Sequence, residues 1–282
     1  MAGPPTSPGR TVLVSGATSG LGRACARELG RRGWRVWAGY RKPEDAEALV
    51  AEARSEGLAL EPLRLDVTSA TDRQTAAERA RAEGLDALVN NAGIAVAGPL
   101  EVVPEDALRL QFEVNLFGAW ALCREVLPVL RERRGHIVNI SSISGRVVTP
   151  VLGPYCMSKF ALEAMSDALR RELCAFGVAV TAVEPGAFAT AIWSRSRDLS
   201  EELAEGIEPE RLAPWLPLIE KARDQARQAV RRAGPPEKVA RVVARVLEKR
   251  RPPARVLVGA DARFLAFLAA VLPARWLDRL LS

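Results

Sequence analysis

Tyr155 and Lys159 are the residues best suited to acid–base chemistry, and they lie four positions apart. On a helix this spacing places both side chains on one face. A phenol has an ordinary pKa of about 10 and is a poor base at neutral pH. A nearby ammonium group favours the phenolate, so Lys159 is expected to lower the pKa of Tyr155. An ordinary pair on a helix surface has the same spacing, so proton transfer needs support from other residues.

A serine provides that support. Ser141 and Ser142 follow the apolar run His136–Ile140, and Ser142 precedes Tyr155 by 13 residues. A strand end followed by a return loop into a helix can bring the Ser142 hydroxyl beside the phenol. There the hydroxyl could hydrogen-bond a substrate oxygen. The three side chains together predict a site that exchanges a proton with an oxygen atom.

A glycine-rich segment near the amino terminus has the pattern of a phosphate-binding turn. It follows the first apolar run and opens the first amphipathic stretch. Gly16 allows a tight turn, Gly20 lets the backbone approach a phosphate, and Gly22 lets helix and strand pack closely. The positive helix end favours a pyrophosphate. The sequence therefore predicts dinucleotide binding, with Thr18, Ser19 and Leu21 contributing to the same turn.

The end of the second predicted strand indicates which dinucleotide is bound. An NAD site usually places a carboxylate there to accept hydrogen bonds from the ribose 2′-hydroxyl. Here Gly39 holds that place, and Arg41 and Lys42 follow. An arginine can clamp a 2′-phosphate, which an acid would repel. The pattern favours NADP(H) over NAD(H), although Arg41 could instead be a solvated loop charge.

Polar residues also end the fourth predicted strand. The segment Leu85–Gly93 finishes with two amides, Asn90 and Asn91, before Ala92 and a glycine. Such a strand end puts hydrogen-bonding groups beside a ligand without adding charge. A plain turn after a strand is the alternative, because asparagine often fills turns.

Apolar runs alternate with amphipathic stretches along the whole chain, which predicts an α/β fold. The runs predict buried parallel strands at Thr11–Val14, Arg35–Ala38, Ala59–Leu65, Ala87–Val89, His136–Ile140, Val178–Val183 and Arg255–Val258. The stretches predict helices at Arg23–Arg32, Glu44–Glu56, Asp106–Arg131, Ser158–Phe176 and Pro236–Lys249. We therefore expect one Rossmann-type, doubly wound parallel sheet with helices on both faces, spanning residues 11–260. The ligand should lie outside the carboxyl ends of the strands.

Three segments fall outside this alternation. Residues 1–10 resemble a short disordered lead-in rather than a signal peptide. Residues 191–232 contain no clear strand and are expected to form a substrate lid; a surface excursion without a binding role is the alternative. Residues 261–282 predict one amphipathic carboxyl-terminal helix. Packing against the core or another subunit is the simpler interpretation of this helix, and contact with a membrane surface is the more specific one.

Composition excludes several classes of function. The formal net charge of +6 arises from residues spread along the chain, so no nucleic-acid partner is expected. The longest apolar run, Phe264–Leu272, is too short for a transmembrane segment. A single histidine, His136, argues against most zinc sites and most histidine-based triads, and no metal is expected. The four cysteines form no paired motif and predict buried, reduced thiols in a cytoplasmic protein.

Together these motifs resemble the short-chain dehydrogenase/reductase family over roughly residues 10–260. Ser15 stands where the family's glycine motif usually begins with threonine, a conservative departure. The resemblance implies four catalytic residues, which are Asn115, Ser142, Tyr155 and Lys159. It also implies cofactor contacts at Asp66, Val67, Asn90, Ala92, Pro185, Gly186, Phe188 and Thr190, beside the glycine motif, Arg41, Tyr155 and Lys159.

The resemblance implies a mechanism as well. Tyr155 would exchange a proton with the substrate oxygen while a hydride moves to or from the nicotinamide. Ser142 would stabilise that oxygen, Lys159 would hold the ribose, and Asn115 would position a water linking Lys159 to solvent. The segments Asn139–Gly145, Tyr155–Ala161 and Glu184–Gly186 look most like the steroid and retinol dehydrogenase branch.

We therefore expect a small lipophilic alcohol or ketone as substrate, and a homodimer or homotetramer as the assembly. Two other functions stay open. One is a non-catalytic, NADP(H)-binding regulator on the same fold. The other is a nucleotide-sugar epimerase or dehydratase, a class that shares the Tyr–Lys spacing but tends to carry a larger carboxyl-terminal domain.

Overall fold

The computed structural model describes residues 9–281. Seven strands form one sheet, and apolar residues dominate the central ones. The strands are β1 (Thr11–Val14), β2 (Arg35–Tyr40), β3 (Leu60–Arg64), β4 (Ala87–Asn90), β5 (His136–Ile140), β6 (Ala179–Pro185) and β7 (Arg255–Val258). All seven predicted strands are present, with ends that differ by a few residues.

The strands are parallel throughout, in the order β3-β2-β1-β4-β5-β6-β7. Val12 of β1 pairs with Val36 of β2 on one side and with Ala87 of β4 on the other. The chain order therefore reverses at the centre of the sheet, where β1 and β4 lie side by side. A crevice opens at such a switch point outside the carboxyl ends of the strands.

Helices cover both faces, because parallel strands leave neither face free for solvent. The helices are α1 (Gly20–Arg31), α2 (Pro43–Glu56), α3 (Ala70–Glu83), α4 (Glu105–Phe112), α5 (Gly118–Glu132), α6 (Gly153–Glu172), α7 (Ile192–Glu205), α8 (Pro209–Leu212), α9 (Leu216–Arg231), α10 (Glu237–Glu248), α11 (Ala260–Val271) and α12 (Ala274–Leu281). One buried core contains residues of α1, α2 and α10, and the other contains residues of α3 and α5. The expected doubly wound fold is confirmed.

The segment expected as one helix over Asp106–Arg131 is interrupted. A π-helical turn, Glu113–Phe117, separates α4 from α5 and contains the buried Asn115. A π turn inserts one extra residue into a helix and is frequent at functional sites. The interruption therefore changes which side chains face the sheet.

The predicted lid and tail are helical. Residues 191–232 form α7, α8 and α9, joined by short connections. The tail forms two helices instead of the expected single one, because α11 ends before Pro273, which lacks the N–H that a helix interior requires. Phe264, Phe267 and Trp276 on these helices are each more than 60% exposed.

Three further expectations concern the whole chain. The lead-in predicted over residues 1–10 lies, apart from its last two residues, outside the described part. Within residues 9–281, no helix combines the length and apolarity needed to cross a bilayer. Of the four free cysteines, Cys174 is exposed, whereas the sequence predicted it to be buried.

Candidate active site

The carboxyl ends of the strands border one open groove of about 580 Å³. It runs from the end of β2, past the glycine-rich turn, to α6 and α7. Most residues predicted to bind or react line this groove, namely Gly16, Thr18, Ser19, Gly20, Leu21, Arg41, Asp66, Val67, Ala92, Ser142, Tyr155, Lys159, Pro185, Gly186, Phe188 and Thr190. Gly22, Asn90 and Asn115 lie behind its wall.

The glycine-rich turn has the shape that its sequence predicts. Gly16 and Gly20 adopt positive φ angles of 63° and 53°, a region that favours glycine. A Cβ atom on Gly22 would lie 2.1 Å from the carbonyl oxygen of Gly16, so any side chain there would force the turn away from α1. The first turn of α1 carries no acidic residue, and its free N–H groups can bind an anion.

Asn91 fixes this turn to β4, a role that its sequence context did not indicate. Its side-chain Nδ2 donates to the carbonyl oxygens of Ser15 and Gly16, each at 3.0 Å. In return, the Ser15 hydroxyl accepts hydrogen bonds from the backbone N–H groups of Asn91 and Ala92, also at 3.0 Å. Two short segments from β1 and β4 therefore hold each other in place.

Asn90 does not face the groove, although it was expected to contact the cofactor. Successive side chains of a strand point to opposite faces, and the side chain of Asn90 points into the core. Its Nδ2 donates to Asn139 Oδ1 at 2.9 Å and to Cys123 Sγ at 3.0 Å. Asn139 in turn donates to Ser166 at 2.8 Å. Asn90 thus ties β4 to β5 and α6 instead of lining the groove.

The end of β2 provides positive charge without an acid on the strand itself. Arg41 and Lys42 line the groove and are exposed. A Cβ atom on Gly39 would lie 2.9 Å from the carbonyl oxygen of Val14, so a carboxylate side chain at this position would require β1 to shift. The carboxylates nearest along the chain, Glu44 and Asp45, begin α2 and also border the groove.

The end of β3 forms the next part of the wall. The Asp66 carboxylate accepts hydrogen bonds from the backbone N–H and the hydroxyl of Thr68, at 2.9 and 2.7 Å. Asp66 N donates to Asp72 at 2.9 Å, which holds this strand end against α3. Val67 is buried beside it and offers an apolar surface to the groove.

Ser142, Tyr155 and Lys159 meet at the other end of the groove. Ser142 follows β5, while Tyr155 and Lys159 lie one turn apart on α6, as their spacing predicted. The Lys159 ammonium group donates to the carbonyl oxygen of Ile140 at 2.9 Å and lies 5.6 Å from the centre of the Tyr155 ring. All three side chains are at least 90% buried.

Burial is the largest cause of the pKa shifts of Tyr155 and Lys159. It raises the pKa of Tyr155 to about 12, although a hydrogen bond with Ser142 acts in the opposite direction. Desolvation of the phenolate is the larger effect here, and the lowering of this pKa by Lys159 stays a prediction. Burial also lowers the pKa of Lys159 to about 8, against the attraction of Glu163.

Asn115 supports the site from behind. Its Oδ1 accepts from the backbone N–H of Ile94 at 2.9 Å, and its Nδ2 donates to the Ile94 carbonyl at 3.0 Å and to the Ser158 hydroxyl at 3.1 Å. Ile94 lines the groove. The amide therefore fixes this wall residue to α6, and the water bridge to Lys159 stays a prediction.

The loop after β6 closes the groove on its last side. Thr190 packs against the glycine-rich turn, since a Cβ atom on Gly20 would lie 3.2 Å from Thr190 Cβ. Phe188 is buried and packs on Gly234. From α7, the Trp193 ring forms a T-shaped pair with the Tyr155 ring, with 6.3 Å between ring centres and 64° between planes. The first residues of the expected lid thus lie beside the phenol.

Across residues 9–281, no group of three histidine, cysteine, aspartate or glutamate side chains is placed to hold a metal ion. The candidate site brings together a serine, a phenol and an ammonium group beside a glycine-lined groove. This arrangement suits proton transfer next to a bound anionic ligand.

Comparison with known proteins agrees with this geometry. Residues 10–200 match the short chain dehydrogenase family. Retinol dehydrogenase 5 of Mus musculus is 35% identical over 96% of this chain and 87% of its own length. The NADPH-dependent 3-dehydrocapnine reductase of Ornithobacterium rhinotracheale is 32% identical over 96% and 95%.

A solved structure shows the same architecture. A short chain dehydrogenase from Burkholderia cenocepacia, crystallised in complex with NADP, superposes with a TM-score of 0.75. It is 29% identical and covers 97% of this chain and 98% of its own. With its seven-stranded parallel sheet, its family match and its Ser–Tyr–Lys group, this chain belongs to the short-chain dehydrogenase family, the oxidoreductases that act on CH–OH groups.

Proposed function

We propose that the protein is an NADP(H)-preferring oxidoreductase that interconverts an alcohol with its ketone or aldehyde. The observation that carries this proposal is the convergence of Ser142, Tyr155 and Lys159 at one end of a groove whose other end carries Arg41. The names of the relatives, a retinol dehydrogenase and an NADPH-dependent reductase, support the same reaction class.

The residues of the groove fit a nicotinamide dinucleotide. The glycine-rich turn leaves space where side chains would otherwise collide, and the amino end of α1 offers N–H groups to a pyrophosphate. Asp66 and Val67 would flank the adenine, and Thr190 would face the carboxamide of the nicotinamide. Lys159 would hold the nicotinamide ribose.

The preference for NADP(H) rests on the end of β2. Arg41 can pair with a 2′-phosphate, and Gly39 leaves no acid to repel it. A carboxylate at position 39 would be the usual partner of a 2′-hydroxyl, but a side chain there would strike Val14. NAD(H) is the weaker alternative cofactor.

In the direction of reduction, NADPH bound in the groove would supply a hydride for the carbonyl carbon. Tyr155 donates its proton to the carbonyl oxygen, because its buried phenol stays protonated at neutral pH. The Ser142 hydroxyl donates a hydrogen bond to the same oxygen and orients the substrate. The Lys159 ammonium group then stabilises the phenolate that remains until a proton from solvent restores it.

A nicotinamide absorbance assay tests this function. Purified protein is offered NADPH or NADH with apolar and polar ketones, and the oxidised cofactors with the matching alcohols. We expect turnover that is faster with NADPH. Tyr155→Phe should abolish turnover and leave cofactor binding nearly intact, because only the proton donor is lost.

The cofactor preference has its own variant. Arg41→Asp should change the preference from NADP(H) toward NAD(H), since the new carboxylate repels a phosphate and can accept from a hydroxyl. Arg64→Asp, an exposed charge reversal on β3 outside the groove, is the matched control and should leave the ratio unchanged. If both variants keep the original ratio, the 2′-phosphate is held elsewhere.

The same assay separates the two rival functions. A non-catalytic regulator would bind NADPH tightly and turn over none of the ketones, with or without Tyr155→Phe. A nucleotide-sugar epimerase or dehydratase would convert a nucleotide sugar without net consumption of NADPH. The intact Ser142, Tyr155 and Lys159 group argues against the first of these.

We also propose a homodimer or homotetramer in the cytoplasm. Four large apolar side chains on or beside α5 and α6 are more than 40% exposed, namely Phe117, Trp120, Met157 and Phe160. The four cysteines are free, which suits a reducing compartment. Light scattering on the eluting protein gives its mass, and a monomer would overturn the proposed assembly.

A further inference from the structure

A second cavity lies beside the groove, beneath the helices of the expected lid. Its volume is about 350 Å³, within the range of small-molecule sites. The loop after β4, the loop before α6, and α7 and α9 form its walls. Most of its lining is aliphatic, including Val102, Val103, Leu152, Leu203, Leu212 and Ile219.

The two cavities share part of one wall. Among the described residues, Trp193 and Ser196, one turn apart on α7, line both of them. The Trp193 ring forms a T-shaped pair with the Tyr155 ring, with 6.3 Å between ring centres. A molecule with one end at the Tyr155 hydroxyl and its body in the second cavity must therefore pass beside Trp193.

We propose that the second cavity binds the apolar body of the substrate, and that Trp193 is the specificity-determining residue between this body and the reacting oxygen. This inference rests on the proposed function, since it assigns the substrate of the same site. Its basis is the wall that the two cavities share at Trp193 and Ser196 of α7, together with the aliphatic lining of the second cavity.

The charges of this cavity favour a neutral ligand. Among its described lining residues, only Arg197 and Arg223 are charged. Arg197 lies 3.4 Å from Asp198, and Arg223 lies 3.9 Å from Glu201. Both arginines are thus paired at the exposed rim, and the interior offers mainly apolar contacts. The substrate class is a ketone or alcohol with a neutral hydrocarbon body.

Turnover of a homologous series of unbranched methyl ketones with NADPH, from butanone to dodecanone, tests whether the second cavity binds the hydrocarbon chain. Each methylene that leaves water for an apolar pocket should raise kcat/KM by about fourfold. The rise should stop when the cavity is full.

Filling the cavity should remove the dependence on chain length. Ala222 lines it from α9, and Ala222→Phe places a ring in its space. We expect the ratio of kcat/KM for dodecanone to that for butanone to fall by about tenfold or more. Gln228→Phe, an exposed position on the same helix outside both cavities, should keep the wild-type ratio. Ala226→Phe, a second lining position, replaces Ala222→Phe if that variant does not fold.

Trp193 is tested by a second pair of variants. Trp193→Ala should raise the relative kcat/KM for methyl ketones that branch next to the carbonyl, because the space beside Tyr155 widens, while Trp193→Phe should retain most of the wild-type selectivity. Trp276→Ala, an exposed tryptophan on α12, is the control. Unchanged selectivity in Trp193→Ala would overturn the role of Trp193.

Calorimetric binding of dodecanone to the NADPH-loaded protein separates this inference from the proposed function. Binding that is lost in Ala222→Phe and kept in Gln228→Phe supports the cavity, even if no ketone is turned over and the proposed function fails. Turnover with the same chain-length dependence in both variants leaves the function standing and overturns the cavity. Equal binding of dodecanone to both variants overturns it as well.

Discussion

Arg146 Nε lies 2.6 Å from Glu184 Oε2, and this ion pair joins the turn after Ser142 to the end of β6. Glu184 is fully buried, and burial raises its pKa, which the arginine opposes. Arg255 on β7 approaches Glu184 at 3.4 Å and also binds Glu163 of α6 at 2.9 Å. Charged contacts thus connect the serine turn, the sheet and the helix that carries Tyr155 and Lys159.

Removing Arg146 should loosen the serine turn. Arg146→Met leaves the buried Glu184 with only the more distant Arg255, and removing one partner of a buried pair is strongly destabilising. Because Arg146 is itself 36% exposed, we expect a smaller loss, about 1–3 kcal/mol in the free energy of unfolding. The value of kcat should fall by about tenfold with little change in the KM for NADPH, since we propose that Ser142 contacts the reacting oxygen.

Urea denaturation and steady-state kinetics measure both effects. Arg146→Lys should restore part of kcat, because it returns the charge. Arg109→Met removes an exposed pair with Glu105 and is the matched control, with a change of about 0.5 kcal/mol or less. If Arg146→Met is less stable than the wild type but has a normal kcat, the Arg146–Glu184 pair contributes to stability alone.

Lys159 should set the upper limit of the pH range for ketone reduction. Burial lowers its pKa to about 8, so the ammonium form is lost as the pH rises through that value. We expect kcat/KM to be level below about pH 8 and to fall about tenfold per unit above it. Glu163 attracts the ammonium group, so Glu163→Gln should move the break to lower pH. A profile that stays level to about pH 10 would contradict this role.

His136 should make the protein less stable in mild acid. Burial lowers its pKa to about 4 from an ordinary 6.5. Thr181 donates its hydroxyl proton to the Pro253 carbonyl at 2.8 Å, so its oxygen must accept from His136 Nε2, 3.1 Å away. The folded protein therefore holds a neutral imidazole with its proton on Nε2.

Proton binding determines whether the stability of the protein rises or falls with pH. Between pH 6.5 and about 4 the unfolded chain protonates this histidine and the folded protein does not, so stability falls as the pH falls. The loss should reach about 3 kcal/mol near pH 4. His136 is the single histidine of the chain, so the difference in slope between wild type and His136→Gln isolates its contribution. If urea denaturation gives free energies of unfolding that change with pH in parallel for the two proteins, His136 makes no such contribution.

Asn91 should control the affinity for the cofactor. Asn91→Ala removes both hydrogen bonds to the carbonyl oxygens of Ser15 and Gly16 and frees the glycine-rich turn. We expect the Kd for NADPH to rise about tenfold, in line with two lost hydrogen bonds. Fluorescence titration measures it, and Asn90→Ala is the comparison. That variant should mainly lower stability, because its side chain binds Asn139 and Cys123 in the core.

Periodicity was sufficient to predict the sheet, because buried parallel strands are continuous apolar runs such as Val12–Val14 and Ala87–Val89. The spacing of Tyr155 and Lys159 likewise predicted their shared helix face. The orientation of Asn90 could not be predicted, since it depends on which face of β4 the strand register directs inward. The raised pKa of Tyr155 depends on burial by residues distant in sequence, among them Trp193 of α7.

The π turn is visible in the spacing of the buried side chains. Five buried positions are spaced every fourth residue through it, namely Ala107, Gln111, Asn115, Ala119 and Cys123. On a regular α-helix, steps of four residues rotate by about 40° each, so such a run would leave the buried face. The extra residue of the turn compensates for much of this rotation.

This compensation has a consequence for changes in chain length. Deleting one residue within Glu113–Phe117 could convert the π turn into ordinary α-helix with all backbone hydrogen bonds made. Because the turn holds one extra residue, the result would be a regular helix in which α5 keeps about the same rotation relative to α4, and its buried face would still match the sheet. The residues of the turn itself would move instead, among them Asn115, whose amide now binds Ile94 and Ser158. At this point of the chain, a more regular helix would preserve the packing of α5 and remove a support of the candidate site.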